Sequence, residues 1–138
     1  MCSEGGSIFH ILALLVFAAV DMVWLLVIAR NLYKDKIGFI MADRVNVPAA
    51  VIFYLLYIAA IVFFAVEPAL GKSSIGYALQ AGAFFGLAAY ATYDLTNLAT
   101  LRDWPVSITV IDLLWGTFIT GTTAAVTVWL VGRLGWNT

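Results

Sequence analysis

Residues 48–66 read PAAVIFYLLYIAAIVFFAV, an unbroken stretch without one charged side chain. A bilayer-spanning helix needs roughly 20 mostly apolar residues, and this run supplies them. Pro48 stands in its first turn, where a proline is tolerated. Three other stretches, 8–28, 75–95 and 108–130, are comparably long and apolar. Transmembrane β-strands would alternate apolar and polar residues over segments of about ten, and these runs do not alternate. The expected fold is an all-α integral membrane protein, a four-transmembrane-helix bundle forming a single domain over residues 1–138.

Composition agrees with that reading. The chain is 64% hydrophobic and 11% charged, whereas a soluble domain is about half apolar and about a quarter charged. A soluble globular domain and a disordered chain are excluded. The net charge of −1 argues against a nucleic-acid partner, which would ask for a basic surface. The single cysteine, Cys2, excludes a disulfide framework and a cysteine-based zinc site. The lipid bilayer is the one partner that composition demands.

The connections set an orientation. The residues before the first span hold Glu4 and no Lys or Arg, whereas a cleavable signal needs a basic start, so the first span is expected to be retained. Arg30, Lys34, Lys36 and Arg44 follow it, and Arg102 follows the third span; the opposite side holds Lys72 and Arg133. The positive-inside bias puts both termini on the outer side. Tyr33 and Trp104 fit an interfacial aromatic belt on the inner side. Pro68, Gly71, Lys72, Ser73 and Ser74 read as a turn between the second and third spans, and Trp104-Pro105 as a break before the fourth.

Most acidic residues belong to solvent. Glu4, Asp35, Asp43 and Asp103 lie in loops or tails, and Glu67 lies at a helix end. Asp21, Asp94 and Asp112 instead lie within apolar spans or at their inner ends. A carboxylate near the bilayer centre costs on the order of 3 kcal/mol by insertion scales. Each should face the bundle interior, pair with a partner or carry a proton. The orientation places all three in the cytoplasmic half. Two meanings stand side by side: a functional polar cluster, or buried hydrogen bonding that only holds the helices in register.

Helical spacing supports a shared interior. His10, Leu14, Phe17, Asp21, Trp24 and Ile28 follow one face of the first helix; Gly82, Gly86, Tyr90, Asp94 and Asn97 follow one face of the third. Asp112, Gly116, Thr120, Thr123 and Thr127 make a small, polar stripe on the fourth. Gly82-x-x-x-Gly86 is a close-packing pattern between membrane helices. Tyr54 and Tyr57 of the second helix are candidates to offer hydroxyls to the cluster or to anchor at the interface. Asp21-x-x-Trp24 and Asp112-x-x-Trp115 repeat one pattern, each Asp beside its Trp on one helix face. There the indole N–H is placed to donate to the carboxylate, or the ring to wall a pocket.

The densest polar run is Tyr93-Asp94-Leu95-Thr96-Asn97-Leu98-Ala99-Thr100-Leu101-Arg102-Asp103-Trp104-Pro105. Arg102 is placed to snorkel, or to reach back about two helical turns towards Asp94. This run through Leu101, followed by Trp104-Pro105 and by Asp112-x-x-Trp115-Gly116-Thr117, resembles a family of small bacterial membrane proteins known as domain of unknown function 2177. Asp21-x-x-Trp24 and the Pro48 to Pro68 span resemble it too, so the likeness covers essentially the whole chain. It implies a four-helix protein of the bacterial inner (cytoplasmic) membrane and carries over no catalytic residue.

No nucleotide-binding glycine loop, Walker motif or hydrolase signature appears. His10 is the one histidine, so no bis-histidine haem forms within one chain, and no ligand spacing argues for a metal. No cofactor is expected. The leading expectation is an intramembrane pocket for an apolar or amphipathic, lipid-like small molecule. Trp24, Tyr57, Tyr90 and Trp115 would wall it, and Asp21, Asp94 and Asp112 would orient a polar end or exchange protons, with Asn97 and Arg102 beside them. Whether such a site does chemistry stays open; raised carboxyl groups serve as acid and base in lipid isomerases. An accessory or assembly subunit of a larger membrane complex is the first alternative. A proton-coupled transporter acting as a homodimer is the second.

Overall fold

A computed structural model describes residues 3–41, 44 and 46–135, without the side chains at 3–6, 28 and 30. Cys2 and Asp43, and the side chains of Glu4, Ile28 and Arg30, lie outside the described residues.

All the regular structure described is helical, in four rods. The first begins as α1 (Ser3–Val23), widens into a π-helical stretch (Trp24–Ala29) and continues as α2 (Arg30–Ile37), ending in a 3₁₀ turn at Gly38–Ile40. The second begins as α3 (Val47–Ile61), widens at Val62–Val66 and ends as α4 (Glu67–Gly71). The third is α5 (Ile75–Thr100) and the fourth α6 (Val106–Leu134).

Among the described residues, three helices are long and apolar enough to cross a membrane: Ser7–Val27, Val47–Gly71 and Val106–Leu134. The expected span at 75–95 does form a helix, α5, of 26 residues. Gln80, three glycines and its tyrosines and threonines dilute its apolar character.

The rods begin and end on identifiable chemistry. Asn46 caps α3, its side chain accepting from the Ala49 N–H at 3.1 Å, and Ser74 caps α5, accepting from the Tyr77 N–H at 3.0 Å. Such caps satisfy N–H groups that a helix start leaves free. Gly135 closes α6 at φ 73°, the left-handed conformation a glycine adopts without steric cost.

Two expectations about the connections change. Pro68 lies inside the second rod, on the α4 side of its π-helical stretch; the turn is confined to Lys72–Ser74. A proline ring clashes with the carbonyl one turn back. Here the preceding turn is widened, the Glu67 N–H bonding to the Val62 carbonyl five residues earlier. Trp104 is buried rather than a belt residue at the membrane surface. Its indole N–H donates to Thr109 Oγ1 at 3.1 Å, and its ring meets Tyr93 edge-on at 5.8 Å. It forms a small second core with Ile37 and Ile108, packed by Leu32, Tyr33 and Leu98, which fastens α2 to the α5–α6 turn.

The main core joins all four rods. Phe9, Ala13 and Phe17 of α1 meet Tyr57, Ile58, Ile61, Val62, Ala65 and Val66 of the second rod, with Ala78, Ile119, Ala124 and Val128. On the first rod the buried row is Phe9, Ala13, Phe17 and Asp21; His10, Leu14 and Trp24 flank it half-buried. The closest approach is between α5 and α6. A methyl built on Gly82 would lie 2.8 Å from the Thr120 carbonyl oxygen and 2.9 Å from Ala124 Cβ. One on Gly86 would strike the Gly116 carbonyl, and one on Gly116 would enter the Tyr90 ring. Small residues let membrane helices approach this closely.

Gly86→Ala is therefore expected to cost about 1–3 kcal/mol, the usual penalty of overpacking, read as a lower unfolding temperature in uncharged detergent. Gly132→Ala, whose new methyl meets nothing within 4 Å, is expected to stay within about 0.5 kcal/mol of wild type.

Candidate functional site

Asp21, Asp94 and Asp112 converge at one end of the bundle. This is the end where the first rod leaves, the second enters, and α5 and α6 are joined. All three are buried, at 8%, 0% and 9% exposure respectively. Their positions follow from the packing below them: with Gly86 against Gly116, antiparallel α5 and α6 bring Asp94 next to Asp112.

Tyrosines hold two of the three carboxyls. Tyr54 of α3 donates its hydroxyl to Asp21 Oδ2, and Tyr33 of α2 donates to Asp112 Oδ1. Tyr33 stands beyond the first apolar span. Burial, and the Asp112 carboxylate it faces, push its hydroxyl well above the ordinary tyrosine value, so it remains a donor. No tyrosine, amide or cationic donor reaches either Asp94 oxygen among the described residues; its carboxyl faces that of Asp112, with which it hydrogen-bonds when one proton is shared by the pair. Tyr57 bonds Thr120 Oγ1 at 2.8 Å instead of a carboxylate.

The widened turn of the first rod explains Tyr33. It follows Asp21 by twelve residues, which a regular α-helix would rotate about 120° away. A π-helical turn bonds i to i+5 and absorbs one extra residue. The remaining offset is then only about 20°, and Asp21 and Tyr33 share the inward face. That register is invisible to a regular 3.6-residue period, so Tyr33 reads from sequence as a belt residue. Tyr54 is legible as a hydroxyl donor, though not its choice of Asp21.

The two Asp-x-x-Trp elements meet. Trp24 and Trp115 stack with centroids 4.4 Å apart and planes 11° from parallel. Neither indole is seen donating to its own aspartate: the Trp115 Nε1 is buried without a partner among the described residues, and Trp24 reaches towards the Tyr33 hydroxyl.

Two clefts open beside this cluster. One, of about 230 Å³, is lined by Asp21, Trp24, Leu25, Tyr33, Tyr90, Asp112 and Trp115. The other, of about 390 Å³, is lined by Phe53, Tyr57, Ala89, Tyr90, Tyr93 and Asp112. Tyr90 and Asp112 line both. Of the residues singled out in the sequence, Asp21, Trp24, Tyr57, Tyr90, Asp112 and Trp115 are thus brought to the clefts. Asp94 lies wholly buried beside Asp112. Asn97 is half-buried and turns towards the Tyr93 hydroxyl. Arg102 is exposed past the end of α5, outside the group.

A family model described as "Predicted membrane protein (DUF2177)" matches residues 7–129 of the 138. The chain belongs to this family. The match takes in every residue of the cluster and both clefts. The resemblance carried by the Tyr93–Leu101 run and the two Asp-x-x-Trp elements is borne out, and with it a multi-pass membrane protein in contact with lipid. No curated protein and no solved structure matches the chain.

Tyr54→Phe and Tyr33→Phe each remove one donor from a buried carboxyl in this DUF2177 protein. Each is expected to lower stability by on the order of 1 kcal/mol, the scale of hydrogen bonds between membrane helices. In a double-mutant cycle, Tyr54→Phe combined with Asp21→Asn should cost less than the sum of the two single changes, measured by chemical unfolding in mixed micelles.

Proposed function

We propose that the chain is a single four-helix domain of the bacterial cytoplasmic membrane that binds an amphipathic small molecule between its helices. The fourth crossing is α5, whose buried Ala78, Gly82 and Gly86 face α6; a helix sheltered in this way needs less apolar surface than one facing lipid. Both termini lie outside, because the cluster end of the bundle carries Lys34, Lys36, Arg44 and Arg102.

One observation carries the reading. The clefts combine apolar aromatic walls with a small number of convergent polar groups, as binding sites do. Phe53, Tyr57, Tyr93, Trp24 and Trp115 supply the walls, and Asp112 supplies a polar floor shared by both. Phe53 and Tyr93 are about half exposed, at 47% and 54%, so the larger cleft opens sideways between α3 and α5. An apolar tail can stay in the lipid while a polar head reaches Asp112. The same carboxyls would serve a proton-coupled transporter, for which the deciding observable is flux in proteoliposomes dependent on Asp21 and on a pH gradient.

Organic extraction of the purified protein is expected to yield one amphiphile in stoichiometric amount. Ala89→Phe, which fills the larger cleft without touching a charge, and Asp112→Asn should each lose it while remaining monodisperse. Retention of the same molecule by both variants would sink the proposal.

A further inference from the structure

The chemistry of the cluster says what kind of head such a molecule carries. Every ionisable side chain lining the two clefts is an aspartate or a tyrosine. The cations whose side chains are described, Lys34, Lys36, Arg44, Lys72, Arg102 and Arg133, are all exposed. Three carboxyls are therefore gathered in an apolar bundle with tyrosine hydroxyls as their donors. A hydroxyl satisfies one acceptor site, whereas a carboxylate offers about four. Asp94 adds a third carboxyl, 0% exposed, whose described neighbour is the Asp112 carboxyl rather than a hydroxyl, amide or cation. It abuts Asp112, the floor of both clefts.

The aromatic rings add an independent preference. Trp24, Tyr90 and Trp115 surround the smaller cleft together with Asp21 and Asp112. A cation over an aromatic face is attracted by the ring quadrupole, and tryptophan is the best such ring; Trp24 and Trp115 each use one face in their mutual stack, which leaves their outer faces and the Tyr90 ring for such a contact. An anionic head would meet two carboxylates. A neutral head would leave the imbalance as it is.

We infer that the smaller cleft, lined by Asp21, Trp24, Tyr90, Asp112 and Trp115, receives the cationic head of an amphiphile, an alkylammonium or similar organic cation. This rests on the amphiphile-binding reading above and names the head that reading leaves open. The head sits between Asp21 and Asp112 against the tryptophan rings, and the tail leaves past Tyr90 and Asp112, which line both clefts, towards the lipid.

The test uses the full-length protein in an uncharged maltoside detergent and three probes of one chain length: decyltrimethylammonium, decanol and decyl sulfate. Tryptophan fluorescence and the unfolding temperature are followed during titration. Decyltrimethylammonium is expected to bind saturably and raise the unfolding temperature, with decanol and decyl sulfate at least roughly tenfold weaker, a difference of about 1.4 kcal/mol. Asp112→Asn and Asp21→Asn, near-isosteric changes that remove charge from the interior, should each weaken the cation by a similar factor and leave decanol unchanged. Trp115→Phe, which keeps both carboxyls, should weaken the cation while preserving the fold. Decanol binding as tightly as the cation, and blocked by Ala89→Phe, would overturn the cationic head and leave the amphiphile pocket standing. Saturable binding by none of the three would overturn both. Cation binding unmoved by all three single substitutions at Asp21, Asp112 and Trp115 would overturn the assignment to this cleft.

Discussion

The contact of Gly82 and Gly86 with α6 is the constraint from which the rest of the arrangement follows. No side chain separates the two backbones there; a methyl on either glycine would collide with Thr120 or Gly116. In a bilayer there is little hydrophobic drive to bring helices together, so packing and hydrogen bonds must do it. Once α5 and α6 are locked at these glycines, the residues towards their shared turn have no freedom of register. Tyr90 must lie over Gly116, and Asp94 must come to Asp112. The burial of two carboxyls is thus a consequence of helix packing further along the same faces.

A second constraint is imposed on that pair by the other two rods. A bare carboxylate in an apolar bundle is costly, and tyrosine is well suited to relieve it, offering one hydroxyl on a large apolar body. Tyr54 and Tyr33 arrive from different rods. Each ties a rod to the carboxyl of another, Tyr54 joining α3 to α1 and Tyr33 joining α2 to α6. The Tyr33 link depends on two devices. The π-helical stretch at Trp24–Ala29 turns Tyr33 inwards. The Ile37–Trp104–Ile108 core then holds α2 against the α5–α6 turn. Hydrogen bonds and packing therefore agree on one closed end to the bundle.

Much of this is legible in the residues alone, and each departure has a physical cause. Apolar length located three rods, because a helix that meets lipid must be apolar over a fixed distance; α5 is a helix over the expected stretch with a more diluted apolar character. The stripes Gly82–Gly86–Tyr90–Asp94 and Asp112–Gly116–Thr120 were readable because α5 and α6 are regular helices throughout, so a constant period places their faces correctly. The first and second rods each contain a widened turn, and there a constant period fails. From the sequence Tyr33 therefore reads as a belt residue; Pro68 reads as part of a turn because of the breaker residues that follow it, whereas the widened turn before it lets the helix pass the proline. Trp104 differs for another reason: a tryptophan at a span's edge usually faces the interface, and nothing local announces that Ile37, far earlier in the chain, covers it. The pairing of Trp24 with Trp115 was hidden because the repeat shows each Asp-x-x-Trp element separately, while the stack needs both helices.

Why three carboxyls persist in so apolar a chain can be argued from what packing alone would require. A structural role needs donors and acceptors in balance, as Tyr57 and Thr120 are balanced at 2.8 Å. Buried polar groups are ordinarily satisfied in this way. The cluster sets three carboxyls against two tyrosine hydroxyls and the Asp94–Asp112 contact, and two of the three, Asp21 and Asp112, stand at the clefts. Apolar side chains at positions 94 and 112 would pack α5 against α6 without charge, and such replacements of buried ions are often neutral or stabilising. The tightest part of the same interface, at Gly82, Gly86, Gly116 and Thr120, indeed contains no carboxyl. Asp21 and Asp112 line the clefts at the end of the helix pair, with Asp94 buried behind them, a distribution that tight packing of α5 against α6 does not by itself demand.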